Sequence, residues 1–265
     1  MEANVLFDFL SGKALVIALA TSRIAIAFII LPVFSNELIP ALVRNSVFVA
    51  LALVTVILHS EVSIESLNII EWLSLFAKEA LVGVMLGVLF GIHLWAFEAA
   101  GMIIDMQVGM SMAQILDPIS GHETSLIGEF LARLANYIFI TAGGLMLITS
   151  VLMSSYTLWP IQQVIPNLPQ AGVSLIASEF SYFFRLTLLI ASPVLVVVFL
   201  IDGVMGLINR YAQQFNVTFL SMSLKILAAI AVLMMTLVQL AELLVTELMK
   251  HTAEVTEQLN RLFGL

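Results

Sequence analysis

The sequence predicts an all-α fold of apolar helical hairpins of the integral-membrane type, and three observations predict it. Of 265 residues, 61% are hydrophobic and only 11% are charged. A soluble domain carries about 25% charged residues, and a chain this poor in them cannot cover a water-facing surface. Six apolar stretches, Ala14–Phe34, Ala41–His59, Leu73–Ile104, Leu126–Met153, Tyr182–Ile201 and Val217–Met249, are each near or beyond the ~20 residues that cross a bilayer as a helix. The ~10-residue segments of alternating polarity that mark barrel strands do not occur.

The elements follow in order. Met1–Ser11 carries Glu2 and Asp8 and lacks a basic start or a small-residue cleavage site, so the first segment is expected to be retained. Asn36-Glu37 and Pro40 turn the first pair of helices into a hairpin. Ser60–Glu71, with three glutamates, is a polar connection before the third stretch. Pro160, Pro166 and Pro169 end helices in a linker spanning 160–178. The final hairpin turns around Asn209–Asn216, and an amphipathic tail after Met249 extends its second helix.

The net charge is -8 with ten Lys and Arg. That excludes the clustered basic footprint of nucleic-acid binding and a polybasic lipid stripe. With no cysteine, disulfides and thiolate metal sites are excluded. Arg23, Lys78, Glu79, Glu98, Glu129, Arg133, Arg185, Asp202, Lys225 and Glu242 interrupt the apolar stretches or sit at their ends. A charge at the bilayer centre costs ~2.5–3.5 kcal/mol on insertion scales, so these helices are expected to pack against protein in a larger assembly. Lys78 and Glu79 are adjacent and do not share a helix face; each is expected to find its own partner.

The most unusual segment runs from Trp95 to Gly121. To Ile104 it reads as helix, with Ala99, Ala100 and Gly101 permitting close packing. Beyond lie Gln107, Gly109, Ser111 and Gln114, then Asp117-Pro118 and Ser120-Gly121, which is turn chemistry. Met102, Met106, Met110 and Met112 are pliable apolar bulk. Irregular backbone at membrane depth is tolerated where protein or a water-filled cavity surrounds it. Two readings stay open on these grounds: a constriction in a pore, or a plain interhelical loop. Asn209, Arg210, Gln213, Gln214 and Asn216 likewise read either as a solvated hairpin tip or as a partner contact.

Catalytic readings find little support. The four histidines have no metalloprotease spacing, there is no nucleophile elbow, and no cofactor or metal is expected. An intramembrane dyad of Asp105 and Asp117 is disfavoured because Asp117 precedes proline.

The spacing Glu98-x-x-Gly101-x-x-x-Asp105-x-Gln107-x-Gly109-x-x-Met112-Ala113, closing on Asp117-Pro118, resembles the signature of the FliR/SctT export-gate proteins of flagellar and virulence type III secretion systems. Arg23 with Leu31-Pro32, Lys78-Glu79 with Gly83 and Gly87, Trp159-Pro160, Pro193, and Asn209-Arg210 with Asn216 and Lys225 agree with it, so the resemblance covers essentially the whole chain. Gln213 and Ser223 stand where the family commonly has proline. The resemblance implies a FliP/SctR-like part over 1–180 and a FliQ/SctS-like hairpin over 181–265. It implies a pore for unfolded secreted proteins at the bacterial inner membrane, held largely at periplasmic level, and built with FliP/SctR-type and FliQ/SctS-type subunits beside an FlhB/SctU-type switch protein. It implies a channel plug over 106–125, with Met106, Gln107, Gly109, Met110, Met112, Asp117 and Pro118, and subunit interfaces at Arg23, Lys78, Glu79, Glu98, Arg210, Asn216 and Lys225. Trp95, Asp105-x-Gln107 and Trp159-Pro160 look more like the injectisome branch. The competing class is a secondary transporter or proton conductor using Lys78, Glu79, Glu98 and Asp105, although such proteins usually show two matching broken repeats and no twin segment is evident.

Overall fold

A computed structural model describes residues 2–34, 39–58, 68–110, 125–163, 172–211 and 217–263. Among them are seven α-helices and a short 3-10 turn at Pro32–Phe34, with no strand. The helices are α1 (Glu2–Ile30), α2 (Ala41–Leu58), α3 (Ile69–Val108), α4 (Leu126–Thr141), α5 (Gly144–Leu158), α6 (Gly172–Tyr211) and α7 (Val217–Phe263).

The expectation of six membrane-length helices is corrected. Among the described residues three helical segments are long and apolar enough to cross a bilayer: Ile69–Val108, Ala177–Tyr211 and Phe219–Glu254. The stretch Leu126–Met153 is not one helix; it is broken between α4 and α5, and counts as a fourth span only if the pair is taken together. The break lies at Gly143, whose φ of 84° is left-handed backbone that glycine adopts without a Cβ clash. The apolar parts of α1 and α2, Ala14–Ile30 and Ala41–Ile57, are shorter.

The chain forms two compact units, each discontinuous in sequence. The first comprises Met1–Gly91, Gly143–Ile176 and Lys250–Leu265. Its core follows helical spacing on α1: Val16, Leu19, Ala20, Ile24, Ala27 and Phe28 are all buried. Phe28 stacks on Phe48 of α2 with ring centroids 5.7 Å apart. α3 meets α1 at backbone distance. A Cβ on Gly83 would stand 2.6 Å from the Arg23 carbonyl oxygen, and one on Gly87 would stand 2.8 Å from that of Ala27. Two small residues four apart on one face bring the helices this close.

The second unit comprises Ile92–Ala142 and Ala177–Met249. Phe97, Ala100, Ile104, Leu131, Phe139, Ile190, Val194, Ala229 and Leu244 are among its buried side chains. Here α3 and α4 touch through glycine: a Cβ on Gly101 would lie 2.4 Å from the Gly128 Cα. Pro193 sits inside α6, where it removes one helix hydrogen bond. Large apolar side chains stay exposed along α6 and α7, including Phe199, Leu200, Leu207, Phe219, Leu227 and Met235. Only 28% and 17% of the most apolar windows of these two helices are buried, against 67% for α3. The outward faces of α6 and α7 therefore call for lipid or protein.

Candidate functional site

The charges that the sequence places inside apolar helices collect into clusters. In the first unit, Arg23 lies on the buried stripe of α1 and is 0% exposed, as is Glu79. The guanidinium grips the carboxylate with two bonds, Nε to Oε2 at 2.5 Å and Nη2 to Oε1 at 2.9 Å. Its remaining donors reach Ser155 Oγ and the Trp159 carbonyl, both at 3.0 Å. The Tyr156 ring lies 4.0 Å from Arg23 Cζ, and its hydroxyl donates to the Ala20 carbonyl. Lys78 Nζ donates to Glu79 Oε1 at 2.5 Å and to the carbonyls of Pro160 and Ile161 at 3.1 Å.

Lys78 and Glu79 thus meet each other as well as finding separate partners, which corrects the expectation from their adjacency. The four-carbon stem of lysine lets its ammonium reach a carboxylate that its own Cβ does not face. Two cations against one carboxylate leave an excess positive charge. The carbonyls of Trp159, Pro160 and Ile161, just past the end of α5, absorb it, since the C-terminal end of a helix favours cations.

In the second unit the family-like motif resolves into helix-end chemistry. Gly109 has φ 89° and ends α3. Its N–H bonds the Met106 carbonyl at 3.3 Å, while the Met110 N–H bonds that of Asp105 at 3.0 Å. This paired pattern is the Schellman stop that glycine supports. Lys225 of α7, buried, donates to the Gln107 carbonyl at 3.0 Å and pairs with Asp202 of α6 at 3.0 Å. Asp105, 5% exposed, accepts from Ser125 Oγ at 2.5 Å and the Ile127 N–H at 2.9 Å. Ser125 is the N-cap of α4 and accepts from the Gly128 N–H at 2.9 Å. The helix expected to end at Ile104 therefore runs one turn further, to Val108.

The same unit holds a cluster that the sequence did not flag. Tyr182 donates to Glu247 Oε2 at 2.9 Å and lies 3.2 Å from Nε2 of fully buried His93. With its proton committed to Glu247, the Tyr182 oxygen is left to accept from His93. Arg185 reaches the same carboxylate at 3.5 Å.

Other expected positions are dispersed. Met106 is 71% exposed, Glu98 is half-buried, and Arg210 is exposed. Arg133 is exposed and pairs with Glu129 one turn away. Met112, Asp117, Pro118 and Asn216 lie outside the described residues. Among the described residues no three His, Asp or Glu side chains form a group that could hold a metal.

Comparison with known proteins gives the relationships. Residues 14–251 match the family described as bacterial export proteins, family 1. The chain is 31% identical over 229 residues to the Yop proteins translocation protein T of Yersinia pestis, covering 86% of this chain and 87% of that one. It is 33% identical over 221 residues to the surface presentation of antigens protein SpaR of Salmonella typhimurium, covering 83% and 81%. With the flagellar biosynthetic protein FliR of Bacillus subtilis it shares 32% identity over 207 residues, covering 77% and 79%. A match over nearly the whole chain, relatives on both the flagellar and the secretion side, and apolar helices of membrane length together make this an integral membrane protein that belongs to the bacterial export proteins, family 1, the FliR/SctT family.

Proposed function

We propose that this chain is a subunit of a type III secretion export gate and forms part of the pore through which unfolded proteins cross the bacterial inner membrane. The observation that carries the reading is the family match across residues 14–251. The exposed apolar faces of α6 and α7 support it, because a subunit of an assembly leaves such faces for its neighbours. The partners are FliP/SctR-type and FliQ/SctS-type subunits and an FlhB/SctU-type switch protein. Residues 1–180 take the FliP/SctR-like place and 181–265 the FliQ/SctS-like place, with the assembled gate held largely at periplasmic level. The relatives named for Yop translocation and antigen presentation favour the injectisome branch.

Within that gate, residues 106–125 act as the channel plug, with Met106, Gln107, Gly109, Met110, Met112, Asp117 and Pro118. Methionine supplies soft bulk that can seal a bore and yield to varied polypeptides. Arg23, Lys78, Glu79 and Lys225, expected at subunit interfaces, have partners inside this chain, which leaves Glu98, Arg210 and Asn216 as the subunit contacts. Replacing Met106, Met110 and Met112 together by glycine is expected to let ions or a small dye through the assembled gate while the subunit still incorporates. A gate that assembles with this triple variant and stays as tight as the wild type would remove the plug role.

A further inference from the structure

Asp105 joins the end of α3 to the start of α4 with two different groups. Its backbone carbonyl accepts from the Met110 N–H at 3.0 Å and closes the last turn of α3. Its carboxylate turns to the next helix, where Oδ2 alone accepts from Ser125 Oγ at 2.5 Å and from the Ile127 N–H at 2.9 Å. The other oxygen, Oδ1, is buried and has no hydrogen-bond partner. The reach of this side chain has a cause in the sequence. Gly101 precedes Asp105 by four residues and shares its helix face. Contact between Gly101 and Gly128 brings the α4 backbone within range of a short carboxylate. The unpaired amides of the first turn of α4 then offer it donors and a favourable dipole. Lys225 holds the same final turn of α3 from α7, through the Gln107 carbonyl.

We propose that Asp105 is a positioning residue that staples the C-terminal turn of α3 to the N-terminal turn of α4, and so fixes where the chain leaves one helix and enters the other. Both side-chain bonds end on one oxygen, so the staple needs an acceptor of this length, and the dipole of α4 strengthens it when that acceptor is an anion. Asparagine can present its own carbonyl oxygen to the same donors, at the cost of burying its NH2 where Oδ1 has no partner. Alanine has no acceptor. The consequence for channel closure rests on the plug reading above; the staple itself does not.

The test uses the full-length chain in detergent. It contains no cysteine, so spin labels can be placed at Met106→Cys and Leu126→Cys, both exposed positions flanking the staple. The distance distribution between the labels is expected to broaden in Asp105→Ala and, in Asp105→Asn, to stay narrower than that. An unchanged distribution in Asp105→Ala overturns the proposal, as does an Asp105→Asn distribution as broad as that of alanine. Should Asp105→Ala fail to accumulate, Ser125→Asp keeps an N-cap acceptor for α4 and removes the hydroxyl donor to Asp105; broadening supports the staple and an unchanged width refutes it. Ion leak through the assembled gate is measured separately. Broadened distances without leak leave the staple standing and count against the plug, whereas unchanged distances refute the staple whatever the leak.

Discussion

Replacing Glu79 by glutamine removes the single negative charge from a site where two cations remain. Arg23, Lys78 and Glu79 are 0%, 6% and 0% exposed, so water does not screen what is left. The guanidinium loses a bidentate ionic partner at 2.5 and 2.9 Å, and arginine keeps its charge in every protein setting. Removing one partner of a buried pair costs about 3–5 kcal/mol. Folded domains hold only about 5–15 kcal/mol in total, so the loss is a large share of the whole. Arg23→Met is expected to be of similar size, because it also leaves Ser155 Oγ and the Trp159 carbonyl without their donor. The triple variant Arg23→Met/Lys78→Met/Glu79→Met replaces the whole cluster by apolar groups of similar volume and should recover much of the loss, since buried charges replaced together are often nearly neutral. The assay is membrane abundance together with thermal stability in mild detergent, followed by fluorescence-monitored size exclusion. Wild-type stability in Glu79→Gln, or a triple variant as unstable as the sum of the singles, would refute the reasoning.

Further outcomes follow from other contacts. Gly101→Val drives side-chain atoms into the Gly128 backbone, where neither helix can yield cheaply, and should destabilise by at least the ~1–3 kcal/mol of an overpacked core; Gly203→Ala, whose added methyl meets nothing within 4 Å, should instead raise the melting temperature slightly through helix propensity. Lys225→Glu sets a second carboxylate beside Asp202 and removes the donor to the Gln107 carbonyl, a loss of about 2 kcal/mol that the swap Asp202→Lys/Lys225→Glu should partly restore on thermal melts. Arg210→Glu, on an exposed position, should leave the melting of the isolated chain unchanged and reduce the amount recovered in the assembled gate on native gels.

Much of the helical framework is legible in the sequence, because apolar runs of this length leave few alternatives to helix. The break at Gly143 is not, since Ala142-Gly143-Gly144 continues an apolar run and only the left-handed φ separates the helices. At the site, the helix stop was readable in principle: Gly109 after a long helical run and Ser125 before the next are standard end signals. The family motif spans the same residues, and the plug reading treats as irregular backbone what the structure forms as caps. The extra turn from Asp105 to Val108 looked irregular because its residues are polar, yet their polar groups serve the helix end. Pairing of Arg23 with Glu79 across 56 positions of sequence has no local signal. Burial cost foretold that such charges must be met, but not by which group. His93 and Tyr182 carry no motif and meet only in three dimensions.

A gate subunit is defined by the proteins bound to it. The most direct measurement is purification of the tagged full-length protein from its native membrane in mild detergent, with mass spectrometry of everything that elutes with it. The expected result is a stable complex containing two smaller membrane proteins of the FliP/SctR and FliQ/SctS types, each in excess over this chain, and loss of that complex when either is deleted. A discrete assembly of this chain alone, stable without those partners and moving protons or small solutes across vesicles, would contradict it and favour a transporter.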